Sequence, residues 1–468
     1  MPRARVVGAA ATAVVLAVGG YGVLDAYDVV PGILTTADAP QQPVPPPGST
    51  TAGPSVAPPG PADAPSIAPA AAGAVPVPAK VVAQVKSALA AKGLPAKTAL
   101  VVRDGQTGSM LLDRNGSAAW TPASITKLVS SWAIAKTLPL EQTLTTKVVA
   151  GSPGRITLVA GGDTVLAPGK GDPNAIAGHA GVADLAAQIA AALKRQGSTA
   201  VTLDLDTSYA PGPLTAPGWA PDYLQLGFTA RIAELGLATE RERPPTPAVA
   251  DPNRSVANAL VKALAAQGIT AKVGGSATAG KDATVLGAVH SAPIADLVGL
   301  ALQDSDNAMI ESLTRQAAFK AGVKGDSASV TGWVLNTLKT AGFDTTGVKL
   351  SDASGLSPGT TIPARLIGDL LVTGTTGKDP AYAELLSRLA VGGWNGTLHD
   401  RILLPAGEVR AKTGSLPGVA SLAGTVVDRS GRVLVFVMVL NSASNASQWD
   451  LRAYLDRTVA ALQSCGCS

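Results

Sequence analysis

Cysteine is nearly absent from the 468 residues: only Cys465 and Cys467 occur, in the terminal SCGCS. Two thiols cannot complete a four-ligand zinc site, and the three histidines, His179, His290 and His399, are scattered along the chain. That scatter leaves no Ser/His/Asp pattern, and neither a metal nor another cofactor is expected. Outside the cytoplasm the cysteine pair could close a tight disulfide or bond to another chain; neither role would carry catalysis. Aromatic residues supply only 3% of the sequence, so the core has to be aliphatic. A surplus of one charge is missing too. Lys+Arg 37 stand against Asp+Glu 33 with no basic block, which argues against nucleic acid as a partner.

What the chain does have begins with an address. Arg3 and Arg5 precede an uncharged run from Val6 to Leu24, closed by Asp25 and Asp28. Basic residues before an apolar segment hold the N-terminus in the cytoplasm and send the rest across. Residues 1–36 are read as a membrane anchor or signal segment, with an uncleaved anchor favoured because Ala37-Asp38-Ala39, of the cleavage-site kind, lies far from the apolar run. Residues 37–79 hold QQPVPPPGST and APPGPADAPSIAP, a Pro/Ala-rich linker that cannot form a core and favours extended conformations. About 40 such residues reach on the order of 100 Å at ~3.1 Å each. A tethered body facing away from a membrane fits both segments.

In that body, TALVVRDGQTGSMLLDRN reads as two strands around a turn, and WTPASITKLVSSWAIAKTL, Trp120 to Leu138, as an amphipathic helix with Thr121 as N-cap and Pro122 in the first turn. GEVRAKTGS, VASLAGTVVDRSG and RVLVFVMVLN make three consecutive strands, and QWDLRAYLDRTVAALQ closes the chain as a helix. Strands from both ends around a helical middle predict one α+β body, an antiparallel sheet flanked by helices. Its segments are 80–146 and 284–468. Between them, 147–283 alternates strand-like RITLVAGGDTVL and TAVTLDLDTSY with the helix GVADLAAQIAAALKRQG, and reads as a smaller inserted α/β domain.

Three short motifs raise a chemical question. Ser124 and Lys127 are three apart near a helix start and leave it on one side. Ser305-Asp306-Asn307 lies within the helical stretch PIADLVGLALQDSDNAMIESLTRQAA, and Lys412-Thr413-Gly414 opens a strand, followed by Ser415. Each alone has a bland reading as a cap, a helix break or an exposed strand end. Their order, S-x-x-K, S-x-N, K-T-G, with gaps of 181 and 107 residues, is far less ordinary. By contrast GSATAGKD, Gly275 to Asp282, resembles a phosphate loop only until Asp282 stands where Ser or Thr is required.

The ordered set resembles the signature of penicillin-recognising serine enzymes. With PASITKL, AGGDTVL, SDNAMIE, SDASGLS, GTLHDR and KTGSLPGVASLAG, the chain from about residue 80 onward resembles the D-alanyl-D-alanine carboxypeptidase/endopeptidase branch of low-molecular-mass penicillin-binding proteins, the type with a large insertion between the first two motifs. AGGDTVL lacks the Pro often found after the Asp, and the insertion is shorter than the largest of that branch. The resemblance implies a serine β-lactamase/penicillin-binding transpeptidase-like fold and a Ser124 acyl-enzyme formed on peptidoglycan stem peptides, with β-lactams as covalent inhibitors. In it Lys127 serves as base once burial and a nearby cation such as Lys412 lower its pKa. Ser305 relays a proton to the leaving amine, and Asn307 positions Lys127 and the substrate amide. Lys412, Thr413, Gly414 and Ser415 form the substrate-binding strand, and the backbone N–H groups of Ser124 and Ser415 form the oxyanion hole. Two alternatives are a β-lactamase-like hydrolase, for which no E-x-x-L-N setting is found around Glu311, Glu384 or Glu408, and a non-catalytic cell-wall binding protein, against which the intact motifs weigh.

Overall fold

The computed structural model describes residues 73–403, 407–442 and 447–468. The expected anchor and most of the linker lie outside them, and among the described residues no helix is long and apolar enough to cross a membrane. The chain enters with helix α1 (Pro78–Leu89), whose Val81, Val85 and Ala88 are buried, then strands β1 (Lys97–Asp104), β2 (Met110–Arg114) and β3 (Ala119–Trp120). A 3₁₀ turn at Ala123–Ile125 leads into α2 (Thr126–Ala135). After it come β4 (Thr143–Ala150), β5 (Arg155–Val159), α3 (Val182–Arg195), β6 (Ala200–Asp206), α4 (Pro221–Gln225), α5 (Pro252–Ala266), β7 (Thr270–Ser276) and β8 (Val285–Pro293). The body resumes with α6 (Ile294–Gln303), α7 (Asn307–Lys320), α8 (Ser327–Thr340), β9 (Ile362–Pro363), α9 (Ala364–Thr375), α10 (Pro380–Ser387) and β10 (Ala390–Val391). It ends with β11 (Val409–Leu416), β12 (Val419–Val427), β13 (Val433–Asn441) and α11 (Gln448–Gln463).

Six strands from both ends of the body form one antiparallel sheet in the order β10-β11-β12-β13-β1-β2. Strand β13 explains why. Its run VLVFVMVL is buried throughout, because the sheet carries a core on each face. Val435, Val437 and Val439 point into one core with Leu128, Trp132 and Leu370. Leu434, Phe436, Met438 and Leu440 point into the other, with Val81, Val85, Leu451 and Leu455 of the terminal helices. Burying each such side chain contributes about 1.5–3 kcal/mol, and a one-residue slip would exchange the two sets. Cys465 and Cys467 sit in this second core as a disulfide to each other, which closes the choice the sequence left open. The Cys467 carbonyl accepts the N–H of Val77 at 2.7 Å, tying the two chain ends of the body together.

A second sheet, β7-β6-β5-β4-β8, mixes parallel β5–β6 and β6–β7 pairs with antiparallel β4–β5 and β4–β8 pairs. Helices α3 and α5 cover it around Leu158, Leu185, Ile189, Leu203, Val256 and Leu260. The stripe Val182, Leu185, Ala186, Ile189, Leu193 on α3 is the apolar face that the 3.6-residue period predicts.

Helix α2 departs from its sequence reading. The pattern predicts an amphipathic helix from Trp120 capped by Thr121, yet the first turn is 3₁₀ and Thr126 to Ile134 are all buried. Thr121 instead exchanges backbone hydrogen bonds with the Asn441 side chain at 3.0 Å each way. The physical reason is position: α2 runs through the middle of the body, so even its polar residues are interior and satisfied locally. Ser130 Oγ donates to the Ala353 carbonyl at 2.6 Å, and Thr126 Oγ1 to the Ala123 carbonyl at 2.8 Å.

Candidate active site

Ser124 lies in the 3₁₀ turn, and the residue before it, Ala123, has φ 51°. A non-glycine residue in the left-handed region costs on the order of 1–3 kcal/mol and persists only where its surroundings enforce it. Here Gly355 presses on that turn: a Cβ at 355 would stand 2.1 Å from the Ala123 carbonyl oxygen, and Gly355 itself has φ 81°. From the opposite side Ser421 Oγ donates to the Pro122 carbonyl at 2.6 Å. The serine is thus held between the 351–357 loop and the sheet.

Lys127, one helical turn on, is 0% exposed. Its ammonium donates to Ser124 Oγ at 3.0 Å, Asn307 Oδ1 at 2.7 Å and the Ser354 carbonyl at 3.1 Å. Burial lowers its pKa to about 8. The largest electrostatic neighbours are the carboxyls of Glu242, Asp352, Glu311 and Asp306, and all four oppose that shift. Burial outweighs them and sets the direction.

Asn307 opens α7 behind Asp306, whose Oδ1 caps the helix by accepting the Met309 N–H at 2.9 Å. Its amide Nδ2 donates to the Phe228 carbonyl at 3.0 Å. A carbonyl can only accept, so this contact turns Oδ1 toward Lys127. Ser305, two residues earlier, has φ 63° and is half-buried on the turn between α6 and α7; the stretch expected as one helical run is broken there.

On the other side, β11 passes close to Ser124. A Cβ on Gly414 would lie 2.2 Å from Ser421 Oγ and 3.0 Å from the Ser124 backbone nitrogen, so only glycine lets the strand approach. Lys412 is 0% exposed, and its ammonium donates to the Thr413 carbonyl at 2.9 Å. Thr413 Oγ1 donates to Thr397 Oγ1 at 2.8 Å, and Ser415 is half-buried at the outer end of the strand. The fold therefore joins Ser124, Lys127 and Asn307 by hydrogen bonds, lays Gly414 against Ser124, and places Ser305 on the turn leading to Asn307.

Sequence reasoning missed the groups around this cluster. Glu311 accepts the N–H groups of Ala353 and Ser354 at 2.8 Å each, and burial raises its pKa to about 8. Asp352 accepts from Gly355 N–H at 2.6 Å, Ser357 N–H at 2.7 Å and Trp219 Nε1 at 3.1 Å. These two carboxyls shape the loop that aims the Ser354 carbonyl at Lys127. Glu311 follows Asn307 by four residues, one helical turn, and SDASGLS contains Asp352; that proximity was the available signal. Glu242 and Phe228 gave none, because they come from irregular chain far from every motif.

The model of the D-Ala-D-Ala carboxypeptidase 3 (S13) family matches residues 81–243 and 236–462. A carboxypeptidase DacB of Mycolicibacterium smegmatis is 35% identical over 383 residues, which cover 78% of this chain and 80% of that one. A D-alanyl-D-alanine carboxypeptidase of an Actinomadura species is 29% identical over 434 residues, 75% of this chain and 78% of its own. Among solved structures, penicillin binding protein 4 (dacB) of Haemophilus influenzae superposes with a TM-score of 0.63 at 21% identity, over 81% of this chain and 97% of that one; the likeness is one of fold. The chain thus belongs to the D-Ala-D-Ala carboxypeptidase 3 (S13) family, the serine-type carboxypeptidases that its ordered motifs resemble.

Proposed function

We propose that Ser124 is the nucleophile of this carboxypeptidase and that Lys127 activates it. The observation that carries the reading is the buried Lys127 ammonium shared between Ser124 Oγ and Asn307 Oδ1. With a pKa of about 8, on the order of one molecule in ten holds a neutral Lys127 at pH 7, against roughly one in 2,500 for a free lysine. The neutral amine takes the Ser124 proton as Oγ attacks the carbonyl of the penultimate D-Ala. Backbone N–H groups of Ser124 and Ser415 face the developing oxyanion, where such donors are worth most. Ser305 passes the proton to the leaving D-Ala nitrogen, and Asn307 holds both Lys127 and the substrate amide. Lys412 and Thr413 receive the terminal carboxylate. Water then hydrolyses the Ser124 ester.

In this reading the substrates are peptidoglycan stem peptides, and cleavage extends to the D-Ala cross-link, an endopeptidase action. β-Lactams acylate Ser124 and stay, because their leaving group remains attached; a penicillin binding protein 4 of Haemophilus influenzae in complex with a β-lactam has the same fold. Residues 147–283 form an inserted domain. The body works outside the cytoplasm in the cell envelope, held by the N-terminal segment. The test is mass spectrometry of purified stem pentapeptide and cross-linked dimer after incubation with the protein. Loss of one D-Ala from the pentapeptide and splitting of the dimer are expected; two unchanged substrates refute the reading, and an unchanged dimer alone restricts it to carboxypeptidase action.

A further inference from the structure

Ser305 occupies a backbone region that serine rarely adopts, with φ 63°, and something has to hold it there. The holding groups come from the inserted segment. Arg241 straddles the serine: its Nη2 donates to Asp304 Oδ2 at 3.0 Å and its Nε to Asp306 Oδ2 at 2.9 Å, one carboxylate on each side of Ser305. The next residue, Glu242, accepts the backbone N–H of Asn307 on Oε2 at 2.9 Å. That N–H is one of the helix-start donors with no partner inside α7. The Phe228 carbonyl, from the same inserted segment, fixes the Asn307 amide. Farther along α7, Ser312 Oγ donates to the Ala233 carbonyl at 2.9 Å, Arg315 pairs with Glu234 at 3.0 Å and Gln316 donates to the Gly162 carbonyl at 3.0 Å. The insertion thus grips α7 over several turns, and Arg241-Glu242 is the part of that grip lying on the S-x-N turn.

We propose that Arg241 and Glu242 are positioning residues: together they clamp the Asp304–Asn307 turn so that the Ser305 hydroxyl and the Asn307 amide face the Ser124–Lys127 pair. This rests on the Ser124 acyl-enzyme reading and goes beyond it, because it makes the chemical step depend on two residues from the inserted segment. A guanidinium fits the task through its planar fork, which reaches two carboxylates in fixed directions; an ammonium offers one point charge. Glu242 works as an acceptor, so a glutamine can keep its contact.

The test measures acylation of the full chain by a fluorescent penicillin over a range of concentrations, separating initial affinity from the acylation rate constant, with the melting temperature alongside. Arg241→Ala is expected to lower the rate constant roughly ten- to hundred-fold, the range for misplacing catalytic groups by an ångström or less, with initial affinity changed by less than about three-fold. Arg241→Lys recovers little of this. Glu242→Ala loses about ten-fold, whereas Glu242→Gln stays within about three-fold of the unmodified chain. A purely structural role would move the melting temperature and would not split rate from affinity or Gln from Ala. If Arg241→Ala fails to fold, the Glu242 pair decides. Rate constants within two-fold of the unmodified protein for all folded variants, or equal losses in Glu242→Gln and Glu242→Ala, overturn the clamp while penicillin labelling of the unmodified chain leaves the Ser124 reading intact. Absence of labelling in the unmodified chain overturns both.

Discussion

The two sides of the site are built from different groups. The strand side offers Lys412, Thr413 and Thr397, an ammonium and two hydroxyls joined through Thr413, together with the backbone of β11. The helix side surrounds Lys127 with the carboxyls of Glu242, Asp352, Glu311 and Asp306. In the proposed reading an anionic peptide terminus is drawn to the first side. In that reading the contrast also separates two tasks: the strand side recognises the carboxylate, and the helix side controls the protonation of one lysine. Burial drives Lys127 toward neutrality while the carboxyls restrain it, and the outcome is a base near neutral pH.

Breaking the meeting point of the two sides has the largest effect. Ser124→Ala is expected to abolish release of D-alanine without unfolding the protein, since only Oγ is lost; folding is checked by thermal melting. Next comes the helix side. Lys127→Ala should slow acylation by about 10²–10⁴, the usual worth of a positioned base, as measured with a penicillin reporter. On the strand side, Gly414→Ala forces a Cβ toward Ser421 Oγ, the Pro122 carbonyl and the Ser124 nitrogen. Displacement of β11 by even part of an ångström should cost up to about 10² in kcat/KM. Lys412→Ala should weaken kcat/KM for a substrate with a free carboxylate by about ten- to hundred-fold, the worth of one charge-assisted hydrogen bond, and affect a substrate with an amidated terminus much less. Per pH unit the effect is smallest. A base that must be neutral, with pKa of about 8, makes acylation rise nearly ten-fold from pH 6 to 7, about five-fold from 7 to 8, and level off above.

The strand side was the more legible in the sequence. Runs such as VLVFVMVLN announce strands by apolar content, and K-T-G lies on one of them, so the order of the last three strands and the closing helix followed from local pattern. Helix α2 was legible as a helix but not as a buried one, because burial depends on what packs around it. The helix side was half legible. S-x-x-K and S-x-N are local motifs; Phe228, Arg241 and Glu242 reach Asn307 and its turn across 65 to 79 positions of chain, and no periodicity marks a loop residue for such a contact. The insertion's helix α3 was visible through its apolar stripe, whereas strands β4, β7 and β8, with weaker patterns, were not assigned. The break at Asp304–Asp306 was visible only as one bland reading of the motif, since the apolar segments on both sides read as helix.

The account stands most directly on Ser124 as the reacting group. Intact-mass analysis of the protein after exposure to a penicillin, followed by peptide mapping, tests it in one measurement. A single adduct with the mass of the whole antibiotic, carried by the peptide containing Ser124 and absent from Ser124→Ala, is the predicted result. A folded protein that takes no adduct, or an adduct on a different serine, would contradict it.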